Sequence, residues 1–260
     1  MIDPLMFIAL LPAVVLVVYI CRKDRTDKEP PALIAKLLGY GVLSCLSAIV
    51  VELILSAIIE RLNVRNAYLG YFLEAFVVAG LTEETCKFLF LRTTWRNPAF
   101  DYQFDAIVYA VMVALGFAAF ENVKYVYSYG FATGIVRAVT AVPGHAIFGV
   151  FMGYFYGYAK LSDYWGRDDD RKAYLALSVV VPVLMHGCYD FLAFTQESDS
   201  RFTLLFYAYL VALYVFGIRR VNRSSRDDRR VTRETVFDYF RRMQYPMPPQ
   251  YRDRNDDFWR

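Results

Sequence analysis

The chain has 260 residues, of which 57% are hydrophobic and 17% are aromatic, and its mean hydropathy is +0.29. Because ordinary soluble domains contain fewer apolar residues, this composition excludes a typical water-soluble enzyme and favours a membrane protein. The formal net charge of +3 comes largely from the loops and the C-terminal tail, so it indicates an anionic membrane surface and not nucleic-acid binding.

Blocks of apolar residues recur along the chain, and each is about as long as a helix that crosses a hydrocarbon core of ~30 Å. They predict an all-α, polytopic bundle of about seven helices, at residues 2–20, 32–59, 67–91, 105–127, 131–160, 173–194 and 202–218. The second and fifth blocks are longer than one crossing requires, so we expect them to tilt or to lie partly outside the membrane. Within the fifth block, Pro143 and Gly144 predict a break, with a helix beginning near Pro143.

Basic residues predict the orientation of these helices. They are concentrated in the tail and in the first and fifth connections, which contain Arg22, Lys23, Arg25, Lys28, Lys160, Arg167, Arg171 and Lys172. Such connections lie in the cytoplasm, whereas the second, fourth and sixth connections carry few basic residues. The sequence therefore predicts a multi-pass cell-membrane protein with its N-terminus outside and its C-terminus in the cytoplasm.

The composition also divides the chain in two. Residues 1–220 form the predicted membrane bundle, and residues 221–260 form an Arg-rich cytoplasmic tail that is too charged to build a core, so we expect it to be largely disordered. Apolar residues among the arginines at 231–243 are typical of a helix lying on anionic lipid. A solvated tail without a lipid partner is the alternative.

The third block places Glu83, Glu84 and Lys87 in the middle of a predicted membrane helix. A charge at the bilayer centre costs at least ~2.5–3.5 kcal/mol, so these residues require partners or a function. Lys87 is four residues from Glu83 and three from Glu84, so it can pair with either carboxylate. A structural ion pair and a catalytic group are both consistent with this pattern.

Further polar side chains occur in the next three blocks. Glu121 and Asn122 follow a long apolar run, and the two histidines of the chain, His145 and His186, both lie within or at the end of apolar blocks. Because Asp190 is four residues from His186, its carboxylate can orient the imidazole or share a ligand with it. Hydrogen bonding between helices is the alternative role for a membrane histidine.

The fifth block carries Gly149, Gly153 and Gly157, a spacing that lets helices approach closely. His145 lies one turn before them on the same face, so we expect the glycine face to carry it into the bundle. Counting residues along each block places Glu83, Glu121, His145 and His186 together in the outer half of the membrane. The predicted site therefore opens toward the extracytoplasmic side.

Together these residues resemble the ordered motifs of the PrsW family, over residues 67–194. The motifs are Glu83-Glu84-x-x-Lys87, Phe117-x-x-x-Glu121-Asn122, His145 with Ala146 and Gly149, and His186-x-x-x-Asp190. The resemblance implies an intramembrane protease of a prokaryotic cell membrane that cleaves membrane-embedded proteins or peptides. The best-known role of that family is the first cleavage of membrane-bound anti-sigma factors on the outer side.

The chain is more distantly similar to the Abi or CAAX-prenyl endopeptidase group. Glu121 stands where that group has its first histidine, and Asp190 stands where it has asparagine. The resemblance implies a water activated by glutamate, with a histidine and a second polar group holding the oxyanion.

Peptide hydrolysis requires a base for water, a donor for the oxyanion and an acid for the leaving amine. We assign Glu83 as the first-choice base, Glu84 as its partner, and His186 or His145 as the oxyanion donor; on this mechanism no cofactor is expected.

Two other functions remain open from the sequence. In a zinc protease, His145, His186 and either Glu121 or Asp190 would be ligands and Glu83 or Glu84 the base. Against this, no His-Glu-x-x-His sequence occurs, and the four cysteines have no Cys-x-x-Cys spacing that would form a thiolate zinc site. A proton- or cation-coupled transporter would also need intramembrane acids, histidines and lysine, but the chain shows no inverted repeat.

Overall fold

The computed structural model describes residues 3–231, and within them the regular structure is helical and includes no β-strand. The helices are α1 (Pro4–Lys23), α2 (Pro31–Arg61), α3 (Ala67–Phe72), a π-helical segment (Leu73–Leu81), α4 (Thr82–Leu91), α5 (Asp105–Tyr129), α6 (Phe131–Val139), α7 (Ala141–Tyr164), α8 (Asp168–Ser198) and α9 (Arg201–Arg226). One turn of 3₁₀-helix, Arg92–Thr94, follows α4. The predicted all-α fold is confirmed.

Six helical stretches in the described residues are long and apolar enough to cross a membrane. They are Pro4–Lys23, Pro31–Arg61, Asp105–Tyr129, Phe131–Tyr164, Asp168–Gln196 and Arg201–Arg226. The third predicted block, 67–91, is also helical throughout, but it consists of α3, the π-helical segment and the charged helix α4. The protein is therefore a multi-pass membrane protein, and its orientation stays a prediction.

Helix α5 is the centre of the bundle. Every residue from Asp105 to Ala118 is buried, whereas α1 and α2 expose large aliphatic side chains such as Val14 and Leu53. A helix that is apolar on all sides must be surrounded by other helices, while the exposed faces of α1 and α2 suit contact with lipid.

Glycines allow neighbouring helices to approach α5 closely. A Cβ atom on Gly41 of α2 would lie 2.2 Å from the backbone oxygen of Val113, and one on Gly153 of α7 would lie 2.4 Å from that of Ala106. Since no side chain fits at such distances, these positions require glycine. The glycine stripe of the fifth block packs on α5, which brings His145 into the bundle.

The fifth block is a broken helix. The break lies at Thr140, whose φ of −123° and ψ of −72° are not helical, and not at Pro143 and Gly144 as predicted. Pro143 lies in the first turn of α7, where its missing N–H removes no helical hydrogen bond. At the break, the Thr140 hydroxyl donates to the backbone oxygen of Val136 (2.8 Å) and the Tyr214 hydroxyl donates to that of Val139. Side chains thus satisfy carbonyl groups in the bundle interior.

Helix α9 extends past its predicted end at residue 218 and continues to Arg226. The following residues contact the loop before α5: the Arg230 guanidinium lies 3.2 Å from the Asp101 carboxylate, and the Val231 N–H donates to the Asp101 backbone oxygen. The predicted boundary between residues 220 and 221 therefore falls inside α9. Apart from Val231, the helix predicted at 231–243 lies outside the described residues.

Candidate active site

The structure brings all eight predicted site residues into one connected polar network. Glu83, Glu84 and Lys87 come from α4, Glu121 and Asn122 from α5, His145 from α7, and His186 and Asp190 from α8. Glu84 is 0% exposed, Lys87 1% and His186 3%, so the network is closed off from its surroundings. Four helices that are far apart in sequence thus share one buried cluster of ionisable groups.

Lys87 lies at the centre of this network. Its Nζ atom is 2.7 Å from Glu84 Oε1, 3.1 Å from Glu83 Oε2 and 3.1 Å from His145 Nδ1. It also lies 4.0 Å from the centre of the Phe117 ring, whose face attracts a cation. The three donors of the ammonium group therefore all have partners, which keeps Lys87 charged inside the membrane.

His186 is held between two carboxylates. Its Nδ1 lies 2.9 Å from Glu84 Oε1, and its Nε2 lies 3.2 Å from Asp190 Oδ2. The Phe148 ring stacks on the imidazole with 5.0 Å between ring centres. Because each ring nitrogen faces a carboxylate oxygen, this arrangement suits a protonated, positively charged imidazole.

His145 connects Lys87 to a second ion pair. Because Lys87 donates to Nδ1, the ring hydrogen of His145 is on Nε2, where it donates to Glu121 Oε2 over 3.0 Å. The same oxygen lies 2.6 Å from Arg137, whose Nε donates to Asn122 Oδ1 over 3.0 Å. One oxygen of Glu121, Oε2, is therefore shared by an arginine and a histidine.

Two irregular segments place these side chains. The π-helical segment precedes α4 directly, and its wider turns change the direction in which Glu83 and Glu84 project compared with a continuous α-helix. The break at Thr140 separates Arg137 from His145, and both still reach Glu121.

At 1.5 Å per residue, Glu121 lies ~12 Å from the end of α5 and His186 ~18 Å from the end of α8, so the network lies nearer the membrane side where these helices end.

Sequence reasoning missed Arg137 and Glu52. Arg137 lies inside the fifth apolar block, where a guanidinium requires a carboxylate partner. Glu52 lies in the middle of the second apolar block, and its Oε1 is buried without a hydrogen-bond partner among the described residues. A search of the apolar blocks for every ionisable residue would have found both.

Part of the network can hold a metal ion. One donor atom from each of Glu83, Glu84, His145 and His186 lies within 4.8 Å of the others, and Glu84 Oε2 is buried without a hydrogen-bond partner among residues 3–231. Carboxylate oxygens and imidazole nitrogens are zinc ligands, so these donors fit zinc. This set of four donors differs from the predicted zinc ligands, which included Glu121 or Asp190. Glu121 pairs with Arg137 instead. Asp190 contacts His186 Nε2, whereas Glu84 contacts the other ring nitrogen, Nδ1. An ion here would displace hydrogen bonds of Lys87.

The chain is similar to known proteases over most of its length. Residues 29–218 match the family model described as PrsW family intramembrane metalloprotease. A protein named Protease PrsW from Bacillus subtilis (strain 168) is 34% identical over 82% of this chain and 92% of its own length. The protein of that name from Clostridioides difficile (strain 630) is 30% identical over 87% of this chain and 94% of its own length.

No solved structure matches the chain significantly. The matched region contains the entire polar network, because it begins before α2 and ends within α9. These relatives favour the protease interpretation of the network over the transporter. The chain therefore belongs to the PrsW family of intramembrane proteases.

Proposed function

We propose that the protein hydrolyses peptide bonds of membrane-embedded substrates with a water molecule that is activated by Glu83. The supporting observation is the difference between the carboxylates of the network. Glu83 has one hydrogen bond within the described network, from Lys87, whereas Glu84 is bound by Lys87 and His186, and Glu121 by Arg137 and His145. Glu83 therefore has lone pairs left to accept a hydrogen bond from water, and unlike Glu84, whose Oε2 also has no partner among residues 3–231, it has no hydrogen bond to His186 that holds it in place.

In this mechanism Glu83 takes a proton from water while the water oxygen attacks the scissile carbonyl carbon. The negative charge that develops on the carbonyl oxygen then needs a donor. We assign that role to His186, because its Nδ1 lies 3.9 Å from Glu83 Oε2; there Nδ1 would exchange its contact with Glu84 for the oxyanion. The protonated Glu83 finally gives its proton to the leaving amine.

Glu84, Asp190 and Lys87 position these groups. Glu84 binds both Lys87 and His186, and Asp190 fixes the far side of the His186 ring. Lys87 also donates a hydrogen bond to Glu83 over 3.1 Å, which fixes the position of this carboxylate.

The substrate class that we propose is a membrane-embedded protein of the anti-sigma-factor type, cleaved on the extracytoplasmic side. The position of the network nearer the ends of α5 and α8 supports this side if the C-terminus is cytoplasmic. A tag inserted after Gln196 should then be digested in spheroplasts, while a C-terminal tag should be protected. The opposite pattern would contradict both the orientation and the side of cleavage.

The decisive test compares wild type with Glu83→Gln and identifies, by mass spectrometry, which membrane proteins lose a cleavage. Loss of a general base reduces turnover by about 10²–10⁴-fold, so cleavage should almost disappear. Glu74→Gln is the matched control, because Glu74 lies in the same helical run but contacts Ser56 outside the network. Cleavage products that persist unchanged in Glu83→Gln would contradict the proposal.

A zinc-dependent reaction is the second candidate, favoured by the cluster of four donors and by the description of the matching family model. Glu83, Glu84, His145 and His186 would hold the ion, which would lower the pKa of a bound water and polarise the scissile carbonyl. Metal content and chelator sensitivity of the purified protein distinguish the two. Stoichiometric zinc that is removed together with activity, and restores it when added back, would overturn the metal-free mechanism.

A further inference from the structure

Two cavities adjoin one another at the surface of α7, α8 and α9, away from the polar network. One has a volume of about 470 Å³ and the other about 210 Å³, and both are lined by Arg220 and Arg223. These two arginines lie in the last turns of α9, close to the membrane boundary at that end of the bundle. The two cavities therefore meet at a shared pair of arginines, and they differ in chemistry.

The larger cavity is an apolar groove within the membrane-spanning region. Its walls are hydrophobic side chains from three helices, among them Phe151, Met185, Leu213 and Phe216. The outer surface of α9 beside it exposes Val211, Val215 and Ile218, as expected for a helix that contacts lipid. A flexible hydrocarbon chain from the bilayer can enter the part of this groove that is lined by apolar side chains, with the arginines at its end.

The smaller cavity is polar and basic. Its lining includes Arg220, Arg223 and Arg229, together with Ser224, Tyr154 and Tyr158. The Arg220 guanidinium lies 4.0 Å from the centre of the Tyr154 ring, which fixes its direction. Among residues 3–231, no carboxylate lies within ion-pair distance of Arg220 or Arg229, and Asp227 is paired with Arg223 at 3.4 Å. The cavity therefore has an excess of positive charge.

We propose that this site binds an anionic phospholipid from the adjacent leaflet, with an acyl chain in the apolar groove and the phosphate at the arginines. Guanidinium groups bind phosphate oxygens through paired hydrogen bonds, and serine and tyrosine hydroxyls can supply further donors. Because Arg220 and Arg223 line both halves, a single amphipathic molecule can fill the groove and the basic cavity together. The excess of arginine over carboxylate selects a headgroup with net negative charge over a zwitterionic one.

The first test measures binding of phosphatidylglycerol and phosphatidylcholine to the purified full-length protein by native mass spectrometry. Each arginine near an anionic lipid contributes about five-fold in affinity, so Arg220→Gln/Arg223→Gln should bind phosphatidylglycerol ~25-fold more weakly. Arg61→Gln/Arg65→Gln, with two exposed arginines near the other end of the bundle, is the matched control and should bind as wild type does. Equal binding of both lipids, or no difference between the two double variants, would overturn the proposal.

A second variant tests the apolar half without changing any charge. Ala212 lines the groove, so Ala212→Trp should fill it and reduce phosphatidylglycerol binding at least ten-fold, with the melting temperature measured to confirm folding. Inorganic phosphate at millimolar concentration should not displace the lipid. Displacement by inorganic phosphate together with unchanged binding by Ala212→Trp would show a site for free anions and would overturn the assignment to a lipid.

Discussion

Lys87 and Glu83 should respond very differently to substitution, because Lys87 holds the network together while Glu83 occupies its edge. Lys87→Met removes the side chain that donates hydrogen bonds to Glu83, Glu84 and His145 at once. Two buried carboxylates then lose their common cation. Glu83→Gln keeps a side-chain oxygen that accepts the same hydrogen bond, and Lys87 retains Glu84 at 2.7 Å.

The expected magnitudes follow from these contacts. Breaking a buried ion pair by removing one partner costs ~3–5 kcal/mol, and Lys87→Met should lie at the upper end because two carboxylates are affected. Glu83→Gln replaces one charged hydrogen bond by a neutral one, which should cost ~1 kcal/mol. For a domain of this size, 1 kcal/mol changes the melting temperature by ~2–4 °C, so a difference of ~4 kcal/mol should separate the two variants by about 8–16 °C.

The assay is thermal unfolding in detergent, combined with cleavage of a purified membrane substrate at matched folded fraction. Lys87→Met should melt early, and the added substitution Glu84→Gln should recover part of the loss. Glu83→Gln should remain folded and bind substrate with almost no hydrolysis. Similar melting temperatures for both single variants would refute the structural reasoning, and hydrolysis by Glu83→Gln at near wild-type rate would refute its catalytic role.

Three further predictions concern other parts of the molecule. The losses of turnover caused by His186→Ala and Asp190→Ala should not multiply in the double variant, since Asp190 acts through His186. A double variant whose loss equals the product of the two single losses would show independent roles. Gly153→Ala should lower the free energy of unfolding by ~1–3 kcal/mol, because its Cβ would lie 2.4 Å from a backbone oxygen of α5. Gly39→Ala is the control and should have no such effect, because there is open space around its Cβ. Equal effects of the two substitutions would contradict the packing argument. Burial raises the pKa of Glu29, in the connection before α2, to about 7. Between pH ~4.5 and 7 the folded protein therefore holds a proton on Glu29 that the unfolded protein has lost. The free energy of unfolding should fall as the pH rises through this range. Glu29→Gln should therefore melt higher than wild type at pH 8 and equally at pH 4.5, and an unchanged pH profile would exclude this group.

The helical bundle was predictable from the sequence because lipid imposes a strong constraint on it. Each crossing requires a long apolar block, so the blocks define the helices before any packing is known. Ionisable residues such as Glu83 and His186 are also visible within those blocks, because a polar residue is costly there. The candidate site residues could thus be selected from composition and position alone.

The irregular segments could not be predicted, because nothing local specifies them. Leu73–Leu81 is mostly apolar and has no proline, and its π-helical turns pack on α8, where Gly80 lies against the α8 backbone and Gly187 makes room for the Phe76 ring. At the break, two hydroxyl groups donate to backbone oxygens that lack a helical partner. One belongs to Thr140 itself and the other to Tyr214 of α9, which is far away in the sequence. Pro143 was a misleading signal, since proline is well tolerated in the first turn of a helix.

Glu121 connects the broken helix to the chemistry of the site. One oxygen, Oε2, binds Arg137 before the break at 2.6 Å and His145 after it at 3.0 Å. Eight residues of straight α-helix span ~12 Å, so the long side chain of Arg137 and the bend at Thr140 together allow this shared contact. Lys87 holds the other side of the His145 ring, which leaves both ring nitrogens occupied. A residue fixed in this way holds its neighbours in position, so we expect Glu121 to orient His145 and not to activate water.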